Sequence, residues 1–186
     1  MKGARILLGV TGSIAAFKAA DLTAKLVADG ADVQVIMTDS AQRFVAPLTF
    51  ETLSRRSVIT SMWTRTALPE PIHVTLADWT ELLVVAPASA TFLGKLAHGI
   101  ADDMLSCMAI TITRPPLIAP AMNDNMYRHP AVQANVKLLT ERGCRFVGPV
   151  KGRLASGKVA LGRLADVADI LKAIQEALKK SGHNTT

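Results

Sequence analysis

The residues of this chain best suited to chemistry gather in a few short, polar stretches that follow aliphatic runs. In Ala119-Pro120-Ala121-Met122-Asn123-Asp124-Asn125-Met126-Tyr127, a hydrophobic segment ends and gives way to amides and two thioethers in what should be a turn. Three further turns are rich in small and hydroxyl residues. Gly9-Val10-Thr11-Gly12-Ser13-Ile14-Ala15-Ala16 sets a glycine and a hydroxyl at an expected helix start, where exposed backbone amides favour a phosphate. Thr38-Asp39-Ser40-Ala41 and Pro87-Ala88-Ser89-Ala90-Thr91 repeat the pattern. Each one alone reads equally as a helix cap, because Ser, Thr and Asp are favoured there; the three together favour one bound anion.

The first turn is neither Gly-x-Gly-x-x-Gly nor a P-loop, so a mononucleotide phosphate suits it better than a dinucleotide or triphosphate. His73, near an expected helix start, is a candidate base or anion partner at physiological pH. His98 and His129 lack neighbouring cysteines or carboxylates at ligand spacing, and no metal site is expected. Gly99-Ile100-Ala101-Asp102-Asp103-Met104-Leu105-Ser106 reads either as a helix cap with an Asp pair or as part of the site.

Bulk properties narrow the classes. A chain of 186 residues with 49% hydrophobic content builds one domain with its own core. Two cysteines, Cys107 and Cys144, indicate a reducing compartment and two small buried hydrophobes rather than a disulfide framework. The N-terminal apolar run is too short for a signal sequence or a membrane span, and a cytoplasmic protein is expected, with no membrane partner. The net charge of +6 is scattered and aromatics make up 4%, which argues against nucleic acid and for attraction of anionic metabolites.

These turns need a scaffold, and the hydrophobic pattern supplies one. Strands are expected at Ile6 to Val10, Val33 to Met37, Glu81 to Ala86, Pro116 to Ala119 and Cys144 to Val147, as continuous aliphatic runs of the kind covered on both faces. Helices are expected from Ile14 to Ala28, about Pro130 to Arg142, and about Leu164 to Lys180. The alternation implies an α/β, doubly wound parallel sheet, Rossmann-like or flavodoxin-like, with ligands at the carboxyl ends of the strands. One domain over 1–180 is expected, with a surface loop at Arg65 to Pro71 and a disordered tail at 181–186.

Several of these blocks occur together in a known family. Gly12-Ser13-Ile14-Ala15-Ala16-Phe17-Lys18, the His73 segment with Ala77-Asp78-Trp79, Ala86 to Thr91, Gly99 to Ser106, and Pro120 to Met126 as Pro-x-Met-Asn-x-x-Met stand in the order of the homo-oligomeric flavin-containing cysteine decarboxylases. Over Ile6 to about Ile174 the chain most resembles their phosphopantothenoylcysteine decarboxylase domain of coenzyme A biosynthesis. The resemblance implies FMN, with its phosphate at Gly12, Ser13, Ile14, Thr38, Ser40, Ser89 and Thr91, and its ring near Asp102, Met104 and Ser106. It implies active sites between subunits of a trimer, often assembled into a dodecamer, and a possible partner in a fused phosphopantothenate-cysteine ligase. It also implies decarboxylation of 4'-phosphopantothenoyl-L-cysteine to 4'-phosphopantetheine, through oxidation to a thioaldehyde that lets carbon dioxide leave. His73 would be the base, Asn123 would hold the substrate carboxylate, and Met126 and Ala121 would line the substrate site.

One position departs from the pattern. In Gly152 to Arg163, which the resemblance implies is a loop after the fifth strand, Ser156 stands where the family commonly has the cysteine that donates the last proton. A thiol titrates near pH ~8.5 and a serine hydroxyl is a far weaker acid, so direct replacement is doubtful. Ser156 is then a harmless variant with another proton source, a lost reduction, an introduced change, or the mark of an oxidative decarboxylase of peptide C-terminal cysteines. Two remoter relatives fit less well: an FMN-binding phosphatase regulator lacks its usual long extensions here, and a flavin prenyltransferase lacks the Pro-x-Met-Asn-x-x-Met block.

Overall fold

The computed structural model describes residues 1–63 and 71–181, with side chains through 179. Its centre is a sheet of five strands: β1 (Arg5–Val10), β2 (Asp32–Met37), β3 (Leu82–Ala88), β4 (Leu117–Pro120) and β5 (Arg145–Phe146). The order is β2-β1-β3-β4-β5 and every pairing is parallel. That is the flavodoxin-like doubly wound arrangement, in which the strand order reverses beside β1 and opens a crevice at the carboxyl ends.

Alternation along β1 explains why both faces are covered. Ile6, Leu8 and Val10 enter one apolar cluster, with Leu22 and Leu26 of α1 (Ala16–Ala28) and Ile170 and Ile174 of α9 (Val167–Ser181). Leu7 enters the other, with Phe92 and Leu93 of α5 (Ala90–His98), Leu105 and Met108 of α6 (Met104–Thr111), and Leu139 of α8 (Pro130–Glu141). Period-two side chains on the strands meet period-3.6 faces on the helices, and all of these residues are essentially dry. Cys144 is buried in the second cluster and Cys107 is half-buried. Burial pushes the Cys144 thiol up from its ordinary value, in keeping with a packing role.

The expected strands and long helices are present with shifted ends. The first helix starts at Ala16 instead of Ile14, because Ala16 N donates to Ser13 O and the Ser13 hydroxyl accepts from Ala15 N, which keeps Ser13 to Ala15 in a turn. The last helix starts at Val167, since Leu164 and Ala165 are buried in the core ahead of it. The helices α2 (Asp39–Gln42), α3 (Pro47–Ser54), α5 and α7 (Asp124–Arg128) were not among those expected, while α6 is capped by Asp103 as the helix-cap reading of the Asp pair implied. His73 lies in the first turn of α4 (Ile72–Trp79).

The larger correction lies after β5. The stretch expected as a loop is an antiparallel hairpin of β6 (Val150–Arg153) and β7 (Val159–Arg163), closed by a turn in which Leu154 N donates to Lys158 O. The expected loop at Arg65 to Pro71 falls on 64–70, outside the described residues, apart from Pro71, which caps α4. Ser181 closes α9, and the rest of the expected tail, 182–186, is also outside them.

Candidate active site

The turns after β1, β2 and β3 meet over one cavity of about 440 Å³, which also receives the start of α6. Thr38 caps α2, its hydroxyl oxygen accepting from Ala41 N; Ser89 caps α5 by accepting from Phe92 N. A hydroxyl that accepts from its own helix keeps its O–H to donate outward, so capping and anion binding use different halves of one group. Thr11 knits two of the turns together. Its buried hydroxyl donates to Pro87 O at 2.8 Å and accepts from Ser89 N at 2.8 Å. Gly12 completes the cradle, because a Cβ there would run into Ser40 Cβ.

One wall of this cavity is charged. Lys95 Nζ lies 2.6 Å from both Asp102 Oδ1 and Asp103 Oδ2. Burial alone would pull the Lys95 ammonium down; hydrogen bonds to the two carboxylates outweigh it and hold the group above its ordinary value. Burial likewise pushes the Asp103 carboxyl up, and is outweighed by the bonds from Lys95 and from Ser106, so the group sits below the usual carboxylate range. Asp103 and Ser106 also form a reciprocal capping box that starts α6.

On the other side of the β1 turn, a second cavity of about 360 Å³ lies between the start of α1, the Pro120-to-Asn123 segment and the hairpin. Asn123 caps α7: its Oδ1 accepts from Asn125 N at 2.9 Å, which leaves its amide N–H groups for another acceptor. Two contacts tie the hairpin to this segment. Met122 N donates to Gly162 O at 3.0 Å, an approach so close that a Cβ at Gly162, whose φ is 149°, would collide with Met122 O. Lys158 Nζ reaches the buried Asp124 Oδ2 at 3.1 Å. The hydrogen bond from Lys158 holds the Asp124 carboxyl below its ordinary value against the opposing effect of burial.

The structure therefore divides the expected site residues. Gly12, Thr38, Ser40, Ser89, Thr91, Asp102 and Met104 line the first cavity. Ser13, Ile14, Ala121, Asn123 and Ser156 line the second. Ser106, expected beside the cofactor ring, is fully buried; its hydroxyl serves the α6 cap, so it acts through Asp103. Met126, expected beside the substrate, is half exposed on α7 and does not line the second cavity, whereas Met122 does. His73 faces neither cavity among the described residues.

Sequence reasoning did not single out Thr11, Lys95 and Trp63, which line the first cavity, Lys18 and Arg153, which line the second, or Lys158, which pairs with Asp124. Thr11 and Lys95 act through partners 76 and 8 residues away, which no local pattern reveals. Among the described residues, no group of three or more His, Cys, Asp or Glu is placed to hold a metal. None of their helices is long and apolar enough to cross a membrane.

Comparison with known proteins agrees with this geometry. The family model described as Flavoprotein matches residues 1–179, and the chain belongs to that family. It is 49% identical over 171 residues to the coenzyme A biosynthesis bifunctional protein CoaBC of Bacillus subtilis, covering 92% of this chain and 42% of that protein. The chain thus spans less than half the length of that relative. It is 41% identical over 176 residues to a probable phosphopantothenoylcysteine decarboxylase of Streptococcus mutans, covering 94% of this chain and 98% of that one. Among solved structures it resembles the FMN-dependent cysteine decarboxylase SpaF, at 34% identity and TM-score 0.83, covering 96% and 97% of the two chains. A cysteine-to-serine mutant of PPC decarboxylase, complexed with pantothenoylaminoethenethiol, matches at 31% identity and TM-score 0.83, covering 96% and 100%.

Proposed function

We propose that this chain is an FMN-dependent carboxy-lyase that converts 4'-phosphopantothenoyl-L-cysteine to 4'-phosphopantetheine in coenzyme A biosynthesis. The observation that carries the reading is the near end-to-end match to the Streptococcus mutans decarboxylase, joined to a second cavity that Asn123 and Ser156 share. The half-length match to CoaBC supports a role as, or beside, the decarboxylase half of a bifunctional protein with phosphopantothenate-cysteine ligase. A cytoplasmic setting follows from that pathway.

The first cavity fits a flavin phosphate by its own features: hydroxyls with free O–H groups, the N-terminus of α5, and backbone that Gly12 lets approach closely. Thr38, Ser40, Ser89 and Thr91 would hold that phosphate, with Asp102 and Met104 nearer the ring. When bound, FMN supplies the two-electron oxidation and the matching reduction.

The chain's own groups do the rest. The Asn123 amide donates to the substrate carboxylate and fixes the bond to be broken. The hairpin forms one wall of the second cavity, and the Ser156 hydroxyl, on its exposed turn, orients the sulfur end while solvent supplies the final proton. His73, which faces neither cavity, serves as base in the site of a neighbouring subunit; this calls for a homo-oligomer, a trimer or a dodecamer built from trimers.

Ser156, standing in the second cavity where the family commonly has a cysteine, favours one alternative, oxidative decarboxylation of a peptide's C-terminal cysteine to an enethiol. Anaerobic incubation of the flavin-loaded protein with 4'-phosphopantothenoyl-L-cysteine decides between them. Product lighter by one carbon dioxide, with flavin returned to its oxidised state, supports the lyase. Product poorer by a further hydrogen pair, with flavin left reduced, shows that reduction is lost with the thiol; no turnover sinks the reading.

A further inference from the structure

We infer that Lys18, Arg153 and Arg163 form an anion subsite in the second cavity that holds the terminal phosphate of the substrate, selecting a phosphorylated small thiol acid over its dephosphorylated form. The inference rests on the decarboxylase reading above and gives it a basis for selection.

The charge balance of the cavity is one-sided. All three cations line it, and none of its described lining residues is Asp or Glu. Asp166, just outside, is shared between two of them: it lies 3.9 Å from Lys18 Nζ and 3.0 Å from Arg163 Nη1. Arg153 has no carboxylate partner among the described residues. Three cations therefore face one carboxylate, an excess that matches a phosphate monoester carrying about −1.5 to −2 at neutral pH.

Satisfaction of donors points the same way. Arg163 Nε is buried without a hydrogen-bond partner, although its Nη atoms are committed to Asp166. A buried guanidinium N–H left unpaired is costly, and this one, packed beside Gly152, marks a guanidinium whose donors exceed what the protein supplies. The planar fork of Arg also suits phosphate better than a single charge would. The remaining walls, Ile14, Phe17, Leu154 and Leu164, are apolar and suit the uncharged middle of a ligand. Asn123 in the same cavity leaves the carboxylate end to an amide, so the cations are available for a different anion.

The test compares kcat/KM of the flavin-loaded protein for 4'-phosphopantothenoyl-L-cysteine and for pantothenoyl-L-cysteine, which differ only in the phosphate. The native protein should prefer the phosphorylated substrate by about 10- to 100-fold, mainly through KM. Arg153→Gln, at an exposed position that does not threaten folding, should remove about tenfold of that preference, lowering kcat/KM for the phosphorylated substrate far more than for the dephosphorylated one. Inorganic phosphate should inhibit turnover of the phosphorylated substrate competitively in the native protein and much less in the variant.

Equal kcat/KM for the two substrates in the native protein would overturn the subsite while leaving the decarboxylase reading intact. So would an Arg153→Gln variant that lost activity equally on both, because the cations would then be serving the shared carboxylate. Turnover of neither substrate, with turnover of a peptide ending in cysteine, would overturn the reading and the subsite together.

Discussion

Lys158, on the turn of the hairpin, and Asp124, at the start of α7, face each other at 3.1 Å, the lysine largely in solvent and the carboxylate almost entirely out of it. The pair joins the turn that carries Ser156 to the segment that carries Asn123. Lys158→Met should leave a buried carboxylate uncompensated, speed hydrogen exchange across 154–158, and raise KM severalfold with little change in kcat. A charge-swapped pair, Asp124→Lys with Lys158→Asp, should restore slow exchange in part. Unchanged exchange in the single variant would show that the pair does not hold the hairpin.

The same pair sets a pH response. Asp124 is depressed in the folded protein, so its contribution is complete above the ordinary carboxylate value of 3.8 and is lost as pH falls through its lower folded value. Hairpin protection should therefore be flat from neutral pH down to about 4 and fall only below it. Loss of protection between pH 5 and 7 would contradict this.

Thr11→Val keeps shape and removes two buried hydrogen bonds, leaving Ser89 N without its acceptor. The loss should be about 2 kcal/mol, or a Tm lower by about 4–8 °C, read by thermal unfolding. Flavin affinity should fall as well, because the turns after β1 and β3 are no longer pinned together. Unaltered flavin affinity would assign Thr11 a purely structural role.

Asp103 and Asp102 share Lys95 but are not equivalent. Asp103→Ala removes an ion pair and the α6 cap and should cost about 1–2 kcal/mol; Asp102→Ala leaves the cap and the Lys95–Asp103 pair in place and should cost less than half as much. Chemical denaturation of the two variants checks the order.

Asn123→Ala should lower kcat/KM for the decarboxylation on the order of 10- to 100-fold, by removing donors to a charged group. Steady-state kinetics with 4'-phosphopantothenoyl-L-cysteine gives the answer, and full activity would reassign the carboxylate to another donor.

The strands were legible because short continuous aliphatic runs such as Leu82 to Val85 have few uses other than a strand covered on both faces. The hydroxyl turns were legible too, and both readings of Thr38 and Ser89 apply, since the oxygen caps a helix while the O–H stays free. The hairpin was not. Val150 to Arg163 alternates charged residues with glycines, and its strands are held by Met122, Asp124 and each other, none of which is encoded in local hydrophobicity. The division into two cavities was equally hidden: Gly12 and Ser13 are neighbours in sequence, and only the fold sends them to opposite sides of a wall.

That wall constrains how such a chain can diversify. The turn from Gly12 to Ile14 belongs to both chambers, so a substitution there should, under the proposed assignment, disturb cofactor retention and substrate choice at once. The hairpin from Arg153 to Arg163 borders only the second chamber among the described residues. Under the proposed assignment of the two chambers, substrate choice can therefore be rewritten on that appendage without touching the residues that would hold flavin.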